Sequence, residues 1–99
     1  MEPIKRLINA NTEGNLWMYI ISLGKDKEIQ EDEVSRLIFE KFGFLPNEFL
    51  VKSVLFRLRR DGYISKEKLK GKRAYKATEK GVQELGKMKD FHQTLLQRI

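Results

Sequence analysis

Residues 46–81 read PNEFLVKSVLFRLRRDGYISKEKLKGKRAYKATEKG. Val51, Val54, Leu55 and Leu58 recur at i, i+3, i+4 and i+7, the one-sided stripe of an amphipathic helix that runs to Asp61 and stops at Gly62. Pro46 stands where a first-turn proline is tolerated. Tyr63 to Ala77 is expected to form a β-hairpin with its tip at Lys70-Gly71-Lys72, because glycine adopts the positive φ that a tight turn often needs. Thr78 is a good N-cap, and with Glu79 in the first turn it opens a long helix reaching Ile99.

Working back from this stretch, Val34, Leu37, Ile38 and Phe42 mark a second helix over Glu31–Phe42, with acidic residues in its first turn where the helix dipole favours them, and Gly43 ends it. Asn15–Leu23 (NLWMYIISL) is apolar on nearly every side and ends at Gly24, which predicts a buried central helix. Between these two helices lies a polar connector, Lys25–Gln30, in which Ile29 is placed to anchor a short strand. The first ten residues predict a short helix with Ile4, Leu7 and Ile8 on one side. Three helices, a two-stranded wing and a further helix make a mainly α chain with a small β-hairpin: a winged helix-turn-helix with an additional C-terminal helix. One domain, 1–99, is expected, divided into an N-terminal extension (1–14), the winged-helix core (15–78) and a C-terminal dimerisation helix (79–99).

Charge is unevenly spread. Residues 46–80 hold eleven Lys/Arg against four Asp/Glu, a net +7, while the other 64 residues hold nine against ten, a net −1. Essentially all of the excess positive charge of this +6 chain therefore lies in the helix and hairpin, which points to a polyanion-facing surface. With 40% hydrophobic residues the chain has material for a core. The absence of cysteine excludes disulfides, thiolate metal sites and cysteine nucleophiles, and fits a reducing, cytoplasmic setting. The charged residues Glu2, Lys5 and Arg6 interrupt any secretory leader, and no apolar run is long enough to span a membrane. There is no P-loop, no G-x-G-x-x-G and no nucleophile with a recognisable base, so an enzyme is not expected, nor a cofactor or small-molecule ligand.

The run LFRLRRDGYI at 55–64, followed by KRAYKATEKG at 72–81, resembles the LRRLEEEGLI and R-x-Y-x-LTEKG signatures of PadR-like and MarR-like transcriptional regulators, over roughly residues 15–99. The G-T-L-Y-P entry of PadR recognition helices is replaced here by Phe49-Leu-Val-Lys-Ser53, and the chain is too short for the large effector domain of many relatives. The resemblance implies a homodimeric repressor whose terminal helices form the interface and which recognises an inverted repeat in double-stranded DNA.

On the helix of 46–61 a rotation of about 100° per residue sets Phe49, Lys52, Ser53, Phe56, Arg57 and Arg60 on or near the outer face. Lys52, Ser53 and Arg57 are candidates for base edges, Arg60 for phosphate, and Asn47 for a contact at the helix start. Lys66, Lys68, Lys70, Lys72 and Arg73 on the wing suit backbone phosphates, although alternating lysines also protect an exposed hairpin edge. Phe49 and Phe56 fit this face poorly and are expected to pack against neighbouring helices; contact with thymine methyl groups and a protein-binding face without DNA binding are the alternative readings. Tyr63 and Tyr75, possible base-stacking groups for single strands, are expected to pack at the wing root.

The last helix carries Val82, Leu85, Met88, His92, Leu95, Leu96 and Ile99, a stripe wider than one small domain covers. Leu85, Met88, His92, Leu95, Leu96 and Ile99 are the candidate dimer interface, which would set two recognition helices about 34 Å apart. The competing arrangement folds this helix back over Trp17 and Ile21. His92 is an interface or core histidine and, as the only histidine beside no cysteine, has no partners for zinc.

Overall fold

The computed structural model describes residues 2–99. Helix α1 (Pro3–Asn11) has proline in its first turn, and a 3-10 turn at Glu13–Asn15 leads into α2 (Leu16–Gly24), the apolar helix at the centre of the core. The Tyr19 hydroxyl on α2 donates to the Asn11 carbonyl, tying the end of α1 to α2. Strand β1 (Ile29–Gln30) follows, then a 3-10 turn at Glu31–Glu33 and α3 (Val34–Phe42), so the segment read as one helix splits where its acidic first turn tightens. Helix α4 (Glu48–Arg60), the hairpin strands β2 (Ile64–Leu69) and β3 (Lys72–Ala77), and α5 (Glu79–Arg98) complete the chain.

Two expectations change here. Pro46 is not in the first turn of α4 but precedes its N-cap, because Asn47 takes that place and its side-chain oxygen accepts from the backbone N–H groups of Phe49 at 2.9 Å and Leu50 at 3.2 Å. The hairpin also gains a third strand. β1 pairs antiparallel with β3, Ile29 opposite Tyr75, giving the order β1-β3-β2. The hairpin turns at Lys70 and Gly71, both with positive φ (54° and 77°), the backbone that matches strand twist and that glycine adopts at no steric cost.

The core joins Leu16, Ile20 and Ile21 of α2 to Val34 and Ile38 of α3, to the Val51, Val54, Leu55 and Leu58 stripe of α4, and to Ile64, Tyr75 and Leu85. Tyr75 sits at its centre, fully buried, with its hydroxyl donating to the Ile20 carbonyl at 2.7 Å. Burial, with the nearby Glu31 charge, pushes the Tyr75 phenol well above its ordinary range, so it remains a donor. The root of the wing is thereby fixed to α2. Thr78 caps α5 as predicted, accepting from the Gly81 N–H at 3.1 Å while its hydroxyl donates to the Gly62 carbonyl at 2.7 Å.

Candidate nucleic-acid interface

With Val51, Val54, Leu55 and Leu58 buried, the helical rotation fixes what α4 presents outward. Its apex is the ridge Phe49, Ser53, Phe56 and Arg60, all exposed. The expectation that the two phenylalanines pack against neighbouring helices fails: Phe49 is 82% and Phe56 62% exposed. Four inward apolar positions already fill the side of α4 facing the core, which leaves no neighbour for them. On one flank of the ridge, Lys52 and Arg59 face the wing; Arg57 lies on the other.

The cleft between α4 and the wing encloses about 520 Å³ and is lined by Lys52, Phe56 and Arg59 from α4 and Lys72 and Arg73 from β3, with Glu31 and Asp32 at its edge. Arg59 was not among the predicted site residues, and its role here is architectural: its guanidinium meets the Glu31 carboxylate at 2.9 Å, both side chains largely covered, locking the turn before α3 against the end of α4. Lys72 reaches Asp32 at 3.4 Å across open surface. Arg57 is not brought to this cleft. It lines a separate cavity of about 590 Å³ with Glu13, Trp17, Asp61, Tyr63 and Glu84. Arg60 is exposed and hydrogen-bonds Asp61 at 3.1 Å, which holds the Asp61 carboxyl below its usual range. Asn47 is exposed, but its side-chain oxygen is committed to the cap.

On the wing, register decides which cations share a face. Lys66 opposes Tyr75 and Lys68 opposes Arg73, so these residues continue outward the face that Ile64 and Tyr75 bury at the root. Lys72 opposes Leu69 and points to the other face. Lys66, Lys68, Lys70, Lys72 and Arg73 are all exposed, and the Lys68–Arg73 pair sets like charges directly across the ladder, a destabilising arrangement for a hairpin alone in water. Tyr63 and Tyr75 both belong to the wing root: Tyr75 is inside, and Tyr63 is half-buried beneath the Lys80 ammonium, 4.4 Å from its ring centre.

A second surface lies away from α4. The first half of α5 packs on α2, burying Leu85 with Met88 beside it, as the fold-back arrangement requires, while Gly81 is buried against the Tyr63 backbone. Beyond Met88 the stripe leaves the domain. Leu95, Leu96 and Ile99 are exposed, the last two at 73% and 91%, and with Leu7 and Ile8 of α1 and Met18 of α2 they line an apolar groove of about 690 Å³. His92 lies in its wall, half-buried, its Nδ1 3.1 Å from the Met88 sulfur. Sequence reading missed the part of α1 in this groove, and also the exposed Phe91, which lies beside a separate cavity with Asn15, Trp17 and Lys87. The i, i+3, i+4 spacing of Ile4, Leu7 and Ile8 carried the signal for α1, without saying what it met.

Solved structures give the arrangement its relatives. A transcriptional regulator from Clostridium thermocellum is 25% identical over 86% of this chain and 85% of its own, with a TM-score of 0.71. A PadR family transcriptional regulator from Eggerthella lenta superposes with a TM-score of 0.80 over 95% of this chain and 86% of its own at 15% identity. The fold is the PadR-like winged helix. PadR of Bacillus subtilis, solved in complex with operator DNA, matches 74% of this chain at 22% identity and a TM-score of 0.66, and this chain spans 45% of its length. No protein-family model matches the chain, and no curated protein does. Among the described residues no helix is long and apolar enough to cross a membrane.

Proposed function

We propose that this chain is a PadR-type transcriptional regulator, a homodimeric repressor and not an enzyme, that binds double-stranded DNA sequence-specifically with α4 in the major groove and the wing on the phosphate backbone. The observation that carries this reading is the convergence of Lys52 on α4 with Lys72 and Arg73 on β3 around one cleft, beside a wing tip whose Lys68 and Arg73 repel each other unless an anion lies between them. The operator complex of the Bacillus subtilis relative supports the same use of the fold here. Lys52 and Ser53 are the base-reading candidates, with Arg57 a further one on the far flank of the ridge, and Arg60 and the wing cations are the phosphate-contacting ones, while Asn47 caps α4. The groove between α1 and α5 takes the same groove of a second copy about a two-fold axis, giving two recognition helices for an inverted repeat. Residues 15–78 are then the reading head, 79–99 the dimerisation helix, and the extension 1–14 part of the same interface.

Fluorescence anisotropy with random-sequence duplex at several salt concentrations tests this. Binding should weaken with salt, and changing Lys68, Lys70 and Arg73 together to Ala should flatten the slope of log K against log salt by about 0.9 for each phosphate that is no longer neutralised. No binding at low salt would overturn the proposal. A protein-binding face is the second reading, favoured by the exposure of Phe49 and Phe56, and it would then stand.

A further inference from the structure

The apex of α4 is more apolar than a phosphate-seeking surface needs. Phe49 and Phe56 flank Ser53 on one exposed ridge, and Phe56 also lines the basic cleft that Lys52, Lys72 and Arg73 surround. A phenyl ring neither donates nor accepts a hydrogen bond, so it reads nothing from the N7, O6, N4 or N6 groups that guanine, cytosine and adenine present in the major groove. Of the four bases only thymine offers a methyl group there. Wedging between base pairs is a minor-groove device, and α4 is the groove-filling helix of a major-groove reader.

We infer that Phe49 and Phe56 are specificity residues that seat on the C5-methyl groups of two thymines in each operator half-site. This rests on the DNA-binding reading above and goes past it to the bases recognised. The two residues are seven positions apart, about 10.5 Å along the helix axis, which matches about three base-pair steps of 3.4 Å. Ser53 falls between them and bonds either a donor or an acceptor, so the half-site is constrained at its two thymines and looser between them. The cations around the cleft explain why the occupant is a polyanion and not a neutral apolar peptide: Phe56 buries its ring only by bringing its partner against Lys52, Lys72 and Arg73.

The test begins by selecting a preferred site from a random duplex pool. Each thymine of that site is then replaced, singly and in both half-sites, by deoxyuridine, which removes the methyl and keeps the base pair and O4. Burying one carbon is worth about a fourfold change in affinity, so wild-type protein should bind about fourfold more weakly for each methyl removed at two positions about three base pairs apart, and be indifferent elsewhere. F49A should abolish the penalty at one position and F56A at the other, with the wild-type salt slope and melting temperature retained because both side chains are exposed. Duplex binding that is equal for thymine and uracil, or that enriches no sequence, overturns the inference and leaves a DNA-binding protein. Failure to bind any duplex overturns both readings and assigns the ridge to a protein partner.

Discussion

Two apolar junctions of this chain end differently. At the wing root, β3, α2 and the start of α5 meet around Tyr75, Ile64 and Leu85, all buried, and the polar atom brought inside is satisfied by the Ile20 carbonyl. At the α1–α5 groove residues of four helices also meet, yet Leu7, Ile8, Leu96 and Ile99 remain more than half exposed. Both junctions have the right residue types, so the difference is one of geometry. The root is closed by a strand that returns antiparallel beneath a helix, while the groove is held open by two helix ends that run past the domain. A single chain completes the first junction and leaves the second open, the face at which a second copy is proposed to dock.

The largest effect should come from breaking the closed junction. A Cβ added at Gly81 would lie 2.1 Å from the Tyr63 carbonyl oxygen, a backbone atom that cannot turn aside. G81A should cost about 3 kcal/mol or more and lower the melting temperature by about 15 °C, read by calorimetry. A destabilisation of under about 1 kcal/mol would show that α5 is not pinned to the wing root as described.

The open junction responds differently. I8K and L96K place charge on facing walls of the groove at residues already exposed in one chain, so each should leave the circular dichroism unchanged and turn a dimer into a monomer by sedimentation. The wild-type melting temperature should rise with protein concentration, and that of the variants should not. A variant that remains a dimer would move the two-fold axis to another face.

The closed junction was the more legible in sequence, and the reason is local. Val51, Val54, Leu55 and Leu58, the stops at Gly43 and Gly62, and the cap at Thr78 each act within a few residues, and each element appears where its signal lies. What periodicity could not show was register and orientation. Ile29 announced a strand but not that it would add to β3, and Asn47, read as a contact from its place at the helix start, proved to be the N-cap. Arg57 and Lys52 lie on the same outward half of a helical wheel, yet one lines the cavity beside Trp17 and Tyr63 and the other the cleft beside the wing. The phenylalanines were assigned to packing on a rule of burial, and the structure shows four inward positions to be enough. Solved relatives share the fold, whereas the pairing of particular bases with particular side chains of α4 is a proposal.

Tyr75 sharpens the comparison through pH. Its phenol is pushed up by burial, so the folded-state pKa exceeds the ordinary value near 10. Below about pH 10 the phenol is protonated folded or unfolded and its contribution is fully present; above it the unfolded chain ionises first, and the contribution is lost as pH rises towards the folded value. Y75F should cost about 1 kcal/mol at about pH 7 for the missing hydrogen bond, and its disadvantage should shrink above about pH 10. Urea unfolding at about pH 7 and about pH 10.5 measures both, and parallel destabilisation of the two proteins would place the alkaline sensitivity elsewhere.

The smallest expected effect separates what the chain needs to fold from what it keeps for a partner. Lys68 stands across the ladder from Arg73, and cross-strand like charges weaken a hairpin. K68E turns that repulsion into attraction and should raise the melting temperature by about 1–3 °C. The same change puts a carboxylate where a phosphate would lie, so duplex affinity should fall and the salt slope flatten. Opposed changes in stability and affinity are the signature of a residue retained for binding at a cost to the fold. Movement of both in one direction would make the lysine a structural or edge-protecting residue, and would confine DNA contact to α4 and the cleft beside it.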